Sequence, residues 1–189
     1  MVCAHQRACQ RASHADLIAI AVVKVCGFPP IAAANSRVLI LGTMPGKESL
    51  RKQQYYAHPQ NAFWKIAAEV FGFDAASSYE SRVSSLAASG VAIWDVLKSC
   101  TREGSLDSHI EKGTVVPNDF FDFFEAHPHI HKVCFNGVAA ENFFKKQVRP
   151  LLAGGSKVEY LRLPSTSPAH AAIPYAEKLR AWHGIANGI

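Results

Sequence analysis

Four short apolar runs recur along this chain, VLIL at 38–41, VAIW at 91–94, KVCF at 132–135 and VEYLRL at 158–163. Each is too short for a stable helix and each stops at a turn or loop former. The first is cut off by Gly42 and then by Pro45-Gly46, which reads as a strand buried on both faces ending in a tight turn. Helical spacing fills the gaps. Phe63, Ile66, Ala67, Val70 and Phe71 predict a helix that stops at Gly72, and Val83, Leu86 and Ala87 predict a second over 77–89. Further helices are expected at 119–125 with Phe120, Phe121, Phe123 and Phe124 in the core, at 138–148 with Phe143 and Phe144 inward and Lys145 and Lys146 outward, and at 175–186. The stretch 98–113 reads as a polar loop. Short buried strands alternating with helices imply an α/β fold whose mainly parallel four-stranded sheet is covered on both faces.

In such sheets ligands bind outside the carboxyl ends of the strands. Here those ends carry Gly42, Thr43, Met44, Pro45 and Gly46, then Asp95, then Asn136-Gly137, and finally Ser165, Thr166, Ser167, Pro168, Ala169 and His170. The four loops are expected to converge on one crevice. Between the first strand and the first helix, Tyr55, Tyr56, His58, Asn61, Phe63 and Trp64 crowd into ten residues. Rings beside one amide and one imidazole, on a loop leaving a buried strand, suit a pocket for something flat. A loop packing on its own aromatics is the plainer alternative.

At 189 residues the chain has the length of one domain. A composition 49% hydrophobic and 19% charged excludes a disordered chain. The formal charge of +5 permits a polyanionic partner, but the basic residues are scattered, so a basic face exists only if the fold gathers them. Five widely spaced cysteines form no CxxC pair, which argues against a structural metal and for the reducing cytoplasm. No stretch approaches the length of a membrane span. Residues 1–27 read as an N-terminal extension, with a signal peptide disfavoured by Asp16 and the lack of a small-residue cleavage site; residues 28–189 read as a single domain.

Taken together, GTMPG, QYYAHPQNAFW, GVAIWDVL, GSLDSHI, FNGVAA and LPSTSPAHA, in this order, resemble the uracil-DNA glycosylase superfamily, and within it the hypoxanthine (deoxyinosine) DNA glycosylase branch. The resemblance covers about Phe28 to Trp182. It implies a three-layer α/β/α sandwich, no cofactor, a monomer, and DNA containing a deaminated base as partner. The implied reaction is hydrolysis of the N-glycosidic bond of a base flipped out of DNA, without a lyase step.

The chain departs from the family pattern twice. Met44 stands where mismatch-specific members carry a water-positioning Asn, and Leu163 replaces the His that opens the usual HPS motif. By resemblance to the branch that lacks the first Asn, Asn61 in Pro59-Gln60-Asn61 is expected to position the attacking water, although an Asn capping the helix that follows fits the same place. Asp95 stands where classical uracil enzymes read the base with Asn. It would accept from a purine N–H, and must be protonated not to repel an anionic leaving base; capping the next turn or pairing with Arg102 is its structural alternative. Tyr56 or Phe63 is expected to stack on the base, His58 to face the pocket or a phosphate, and His170 to replace the missing electrophile or touch a phosphate. Ser165, Thr166 and Ser167 are expected at DNA phosphates, with Pro168-Ala169 probing the space the base leaves. A mismatch-type uracil or broad-specificity enzyme, and a non-catalytic damaged-DNA-binding module, remain the competing readings.

Overall fold

A computed structural model of the protein describes residues 24–152 and 158–186. The run VLILG forms β2 (Val38–Gly42), buried at every position, because parallel neighbours flank it on both sides and helices cover both faces. It pairs with β3 (Val91–Asp95) and β6 (Lys132–Asn136), and β6 in turn pairs with β7 (Glu159–Leu163), giving the parallel order β3-β2-β6-β7. The helices lie between these strands: α1 (Lys47–Lys52), α2 (Phe63–Phe71), α3 (Tyr79–Ala88), α4 (Phe120–Ala126), α5 (Val138–Phe143) and α6 (Tyr175–His183).

Two groups of helices sandwich the sheet. Phe120 of α4 meets Phe144 just beyond α5, and both reach the sheet through Trp94 and Phe135, which lie in line across the register with Leu41. On the other side α2 packs on α6 through Phe63 and Trp182, and on α3 through Trp64 and Tyr79. The fold is thus the expected three-layer α/β/α sandwich with a four-stranded parallel sheet.

Several local expectations need correction. Residues 98–113 are not a plain loop: β4 (Leu97–Thr101) pairs antiparallel with β1 (Lys24–Cys26) and with β5 (Val116–Pro117), making a second, three-stranded sheet. Strand β1 lies inside the span read as an extension; residues 1–23, with the signal-peptide question, lie outside the described residues. Phe121 is 58% exposed, on the outward side of α4, whereas Phe120 and Phe123 are buried. The helix read over 138–148 loosens into a π-helical turn at 144–148, and the short α1 was not foreseen.

Candidate active site

The carboxyl ends of β2, β3 and β6, with the loop after β7, open into one cavity of about 800 Å³, within the range of small-ligand sites. Its lining includes Gly42, Thr43, Met44, Pro45, Gly46, Asp95 and Asn136, and Ser165, Ser167, Pro168, Ala169 and His170. Tyr56, His58 and Asn61 line it from the aromatic loop.

Its floor is set by strand register. Gly42 and Asp95 are partners at the ends of β2 and β3, so Asp95 projects beside a residue with no side chain. A Cβ on Gly42 would stand 2.3 Å from Asp95 Oδ1 and 3.2 Å from the Tyr56 hydroxyl. The glycine is therefore a space requirement. Asp95 is only 3% exposed, and its Oδ2 has no hydrogen-bond partner among the described residues. It does not form an ion pair with Arg102, which reaches Asp107 instead. Burial first, then the nearby charge of Asp107, pushes the Asp95 carboxyl up to about 8, with Arg102 pulling weakly the other way. At neutral pH it is mostly a neutral acid, able both to donate and to accept.

Tyr56 completes the floor. Its backbone is left-handed, with φ of 54°, a conformation uncommon for an aromatic residue. Its ring stacks on Phe63, centroids 3.9 Å apart and planes 20° from parallel. Its hydroxyl is buried beside the Asn136 side chain and has no hydrogen-bond partner of good geometry among the described residues. Burial, followed by the charge of Asp95, drives this phenol far above its usual range, so it stays a neutral donor. Phe63 is fully buried beneath it; of the two aromatics expected to stack on a base, only Tyr56 reaches the cavity. The loop is held from behind: the Trp64 indole donates to the Tyr55 carbonyl, and the Tyr55 hydroxyl donates to the Pro29 carbonyl.

Asn61 Oδ1 accepts from the Phe63 N–H at 3.0 Å, an Asx turn that leads into α2 from one residue before its N-cap, Ala62. Asn61 lines the cavity, and this is its one side-chain hydrogen bond among the described residues. His58 is exposed and accepts from the Gln60 N–H through Nδ1. Thr166, expected at DNA, is a brace instead. Buried to 1% exposure, it exchanges two hydrogen bonds with the Asn136 side chain and accepts from the Ala62 N–H through its carbonyl. It thereby clamps the loop after β7 to β6 and to the start of α2. Gly137, at φ of 104°, lets this happen: a Cβ there would stand 2.9 Å from Ser165 Cβ. His170 lies exposed at the rim, its carbonyl taking a hydrogen bond from Lys178.

The sequence reading passed over Asp107 and three exposed lysines, Lys47, Lys112 and Lys146, which also line the cavity. Asp107 stands in GSLDSHI, a segment recognised as a motif but given no role. Nothing in the spacing of the lysines marks them, because they come to the cavity from three separate segments.

Comparison with known proteins agrees with this arrangement. The family model described as Uracil DNA glycosylase superfamily matches residues 29–185. A hypoxanthine DNA glycosylase of Methanosarcina acetivorans is 39% identical over 145 residues, 76% of this chain and 87% of its own. A hypoxanthine DNA glycosylase of Methanosarcina barkeri is 39% identical over 116 residues, 61% of this chain and 72% of its own. The solution NMR structure of a Methanosarcina acetivorans protein proposed to be a uracil DNA glycosylase superposes with a TM-score of 0.73 at 33% identity, covering 87% of this chain and 97% of that one. With the family model spanning nearly all of the described fold, and the cavity standing where its loops converge, the chain belongs to the uracil DNA glycosylase superfamily.

Proposed function

We propose that this protein is a monofunctional DNA glycosylase that removes a deaminated base, hypoxanthine first, from DNA in base-excision repair. The observation that carries this reading is the pair of buried polar groups at the cavity floor, Asp95 Oδ2 without a partner among the described residues and the Tyr56 hydroxyl with only the Asn136 side chain beside it. Buried polar groups without partners are costly, and a flipped base supplies the partners. A neutral Asp95 donates to O6 of hypoxanthine and accepts from N1–H, and the Tyr56 hydroxyl offers a further donor to the leaving base. The names of the Methanosarcina relatives support hypoxanthine as the base.

Glycosidic cleavage passes through an oxocarbenium-like sugar and a leaving base that gathers negative charge. Asn61 orients the water with the part of its amide that the hydrogen bond to Phe63 leaves unused. Ser165, Ser167, Pro168 and Ala169 at the rim meet the DNA backbone and the gap left by the flipped nucleotide. His170 faces a phosphate or the departing base from the same loop. The protein acts as a monomer on DNA in the cytoplasm in this reading, a location consistent with the buried free thiols of Cys100 and Cys134.

Single-turnover cleavage of duplex DNA holding one hypoxanthine or one uracil, with wild type and Asn61→Ala side by side, tests the assignment. Release of hypoxanthine by wild type, slowed roughly a hundredfold in the variant, is the expected result. Equal rates would remove Asn61 from the chemistry. Uracil released faster than hypoxanthine would favour a mismatch-type uracil enzyme, and binding without release of either base would favour a non-catalytic module.

A further inference from the structure

The cavity holds a second carboxylate to which the reading above gives no part. Asp107 opens the single-turn helix Asp107–His109, on the segment after β4, and lines the same cavity as Asp95 and Asn61. Its surroundings differ from Asp95's in the polar partners they supply. The completely buried side chain of Arg102 brings Nη1 to 3.5 Å from Asp107 Oδ1, while its Nη2 donates to the Pro45 carbonyl in the loop after β2. Thr43 of that loop hydrogen-bonds the Asp107 side chain, and His170 faces it from the loop after β7. Asp95 feels Arg102 only as the smallest influence, and its buried Oδ2 has no hydrogen-bond partner among the described residues.

Burial raises the Asp107 carboxyl, but one hydroxyl and one guanidinium pull it back down, and its charge in turn raises the cost of charging Asp95. Asp107, with these partners, is the one that ionises first. Two carboxyl groups in one site, pushed apart by environment, divide the roles of base and acid. Resting on the glycosylase reading, we propose that Asp107 is the catalytic base of this site and Asp95 its acid, so that the two work as a pair. As the bond from the water oxygen to C1′ forms, Asp107 takes a proton from that water. The C1′–N9 bond breaks, its electron pair leaves with the purine, and the Asp95 proton passes to the departing base. The sugar keeps the hydroxyl, the base leaves neutral, and a proton returns through solvent from Asp107 to Asp95. Before water attacks, the Asp107 carboxylate also offsets the positive charge on the sugar.

Other groups shape how the pair titrates. Arg102, Cys100 and His170 face Asp107, and Tyr55 and Tyr56 face Asp95 from the aromatic loop. Lys47, Lys112 and Lys146, with Glu48 and His58, line the same cavity.

The test is the pH profile of single-turnover hypoxanthine release from duplex DNA, for wild type, Asp107→Asn, Asp107→Glu and Asp95→Asn, with thermal midpoint and DNA affinity measured on each. Wild type is expected to give a bell, its alkaline limb at about 8 from Asp95 and its acid limb from Asp107. Asp107→Asn should lose roughly a hundredfold in rate and the acid limb with it, Asp107→Glu should keep that limb, and Asp95→Asn should lose the alkaline one. Release by Asp107→Asn within about threefold of wild type, or a slower rate with the acid limb intact, would reduce Asp107 to an anchor for Arg102 and overturn the proposal while leaving the glycosylase reading standing. Wild type releasing no base would overturn both.

Discussion

At the scale of single residues the site depends on an absence, the missing side chain of Gly42. Strand register sets it directly beside Asp95, and a methyl group there would stand 2.3 Å from Oδ1. Gly42→Ala is therefore expected to swing the Asp95 carboxyl out of the floor. Overpacking of this kind costs roughly 1–3 kcal/mol of stability, and hypoxanthine release should fall more steeply than stability, measured by denaturant unfolding alongside single-turnover cleavage. Asp95 itself has a signature in stability. Its carboxyl lies near 3.8 when solvated and about 8 in the folded protein, so between these values the folded state binds the extra proton. Its neutral form is accommodated fully below the lower value, and stability is lost as pH rises towards the upper one. Each unit of such a difference corresponds to about 1.4 kcal/mol. Asp95→Asn, whose amide carries no charge to bury, should flatten the decline in thermal midpoint between these pH values and be the more stable protein at pH above about 8. A decline unchanged in the variant would place its source elsewhere.

At the scale of elements, hydrophobic pattern revealed what is buried on two faces and hid what is buried on one. The runs of β2, β3 and β6 stood out because helices cover both sides of them, whereas β7, at the edge of the sheet, is exposed at most positions. Strand β4, LKSCT, was invisible as a strand: Lys98 is exposed while Leu97, Ser99 and Cys100 are buried, and two of those three look polar or neutral in a list of letters. Its partners β1 and β5 have three and two residues, too few for any periodicity to register. The aromatic run of α4 shows the converse error. FFDFF puts four rings in five positions, yet a helix turns one of them away from the sheet. Phe120, packed on Trp94 and Phe144, should cost about 3–5 kcal/mol when cut to alanine. Phe121→Ala should stay within about 0.5 kcal/mol of wild type. Chemical unfolding of the two variants distinguishes them. The site was legible to the same degree as the sheet. Asp95, Asn136 and the loops after β2 and β7 followed from where strands end, whereas Thr166 as a brace and Asp107 beside Arg102 depend on contacts across long stretches of chain that no local pattern encodes.

For the molecule as a whole, a charge of +5 spread along the sequence gains meaning only from what the fold gathers. Lys47 at the start of α1, Lys112 after the Asp107 turn and Lys146 in the π-helical turn come from three separate segments, yet all three are exposed and line the cavity, and none makes an ion pair among the described residues. Lys145, one residue from Lys146, is instead held by Glu141 at 2.8 Å. Asp95 lies deeper, 3% exposed, with the half-buried Asp107 between it and the rim, where a flipped base and not a phosphate would meet them. This layering, cations outside and acids within, suits a polyanion that must approach closely while one of its bases enters. Each phosphate neutralised by a lysine releases counterions, and log affinity falls with log salt by about 0.9 per contact. Lys47→Ala, Lys112→Ala and Lys146→Ala are each expected to reduce that slope by about one, whatever base the duplex carries. Lys145→Ala, whose charge is already answered, should leave it unchanged. Fluorescence anisotropy of labelled duplex, titrated over a range of salt concentrations, measures the slopes. Three slopes equal to wild type would mean that the backbone runs along another face and that the cavity receives its base from a different direction.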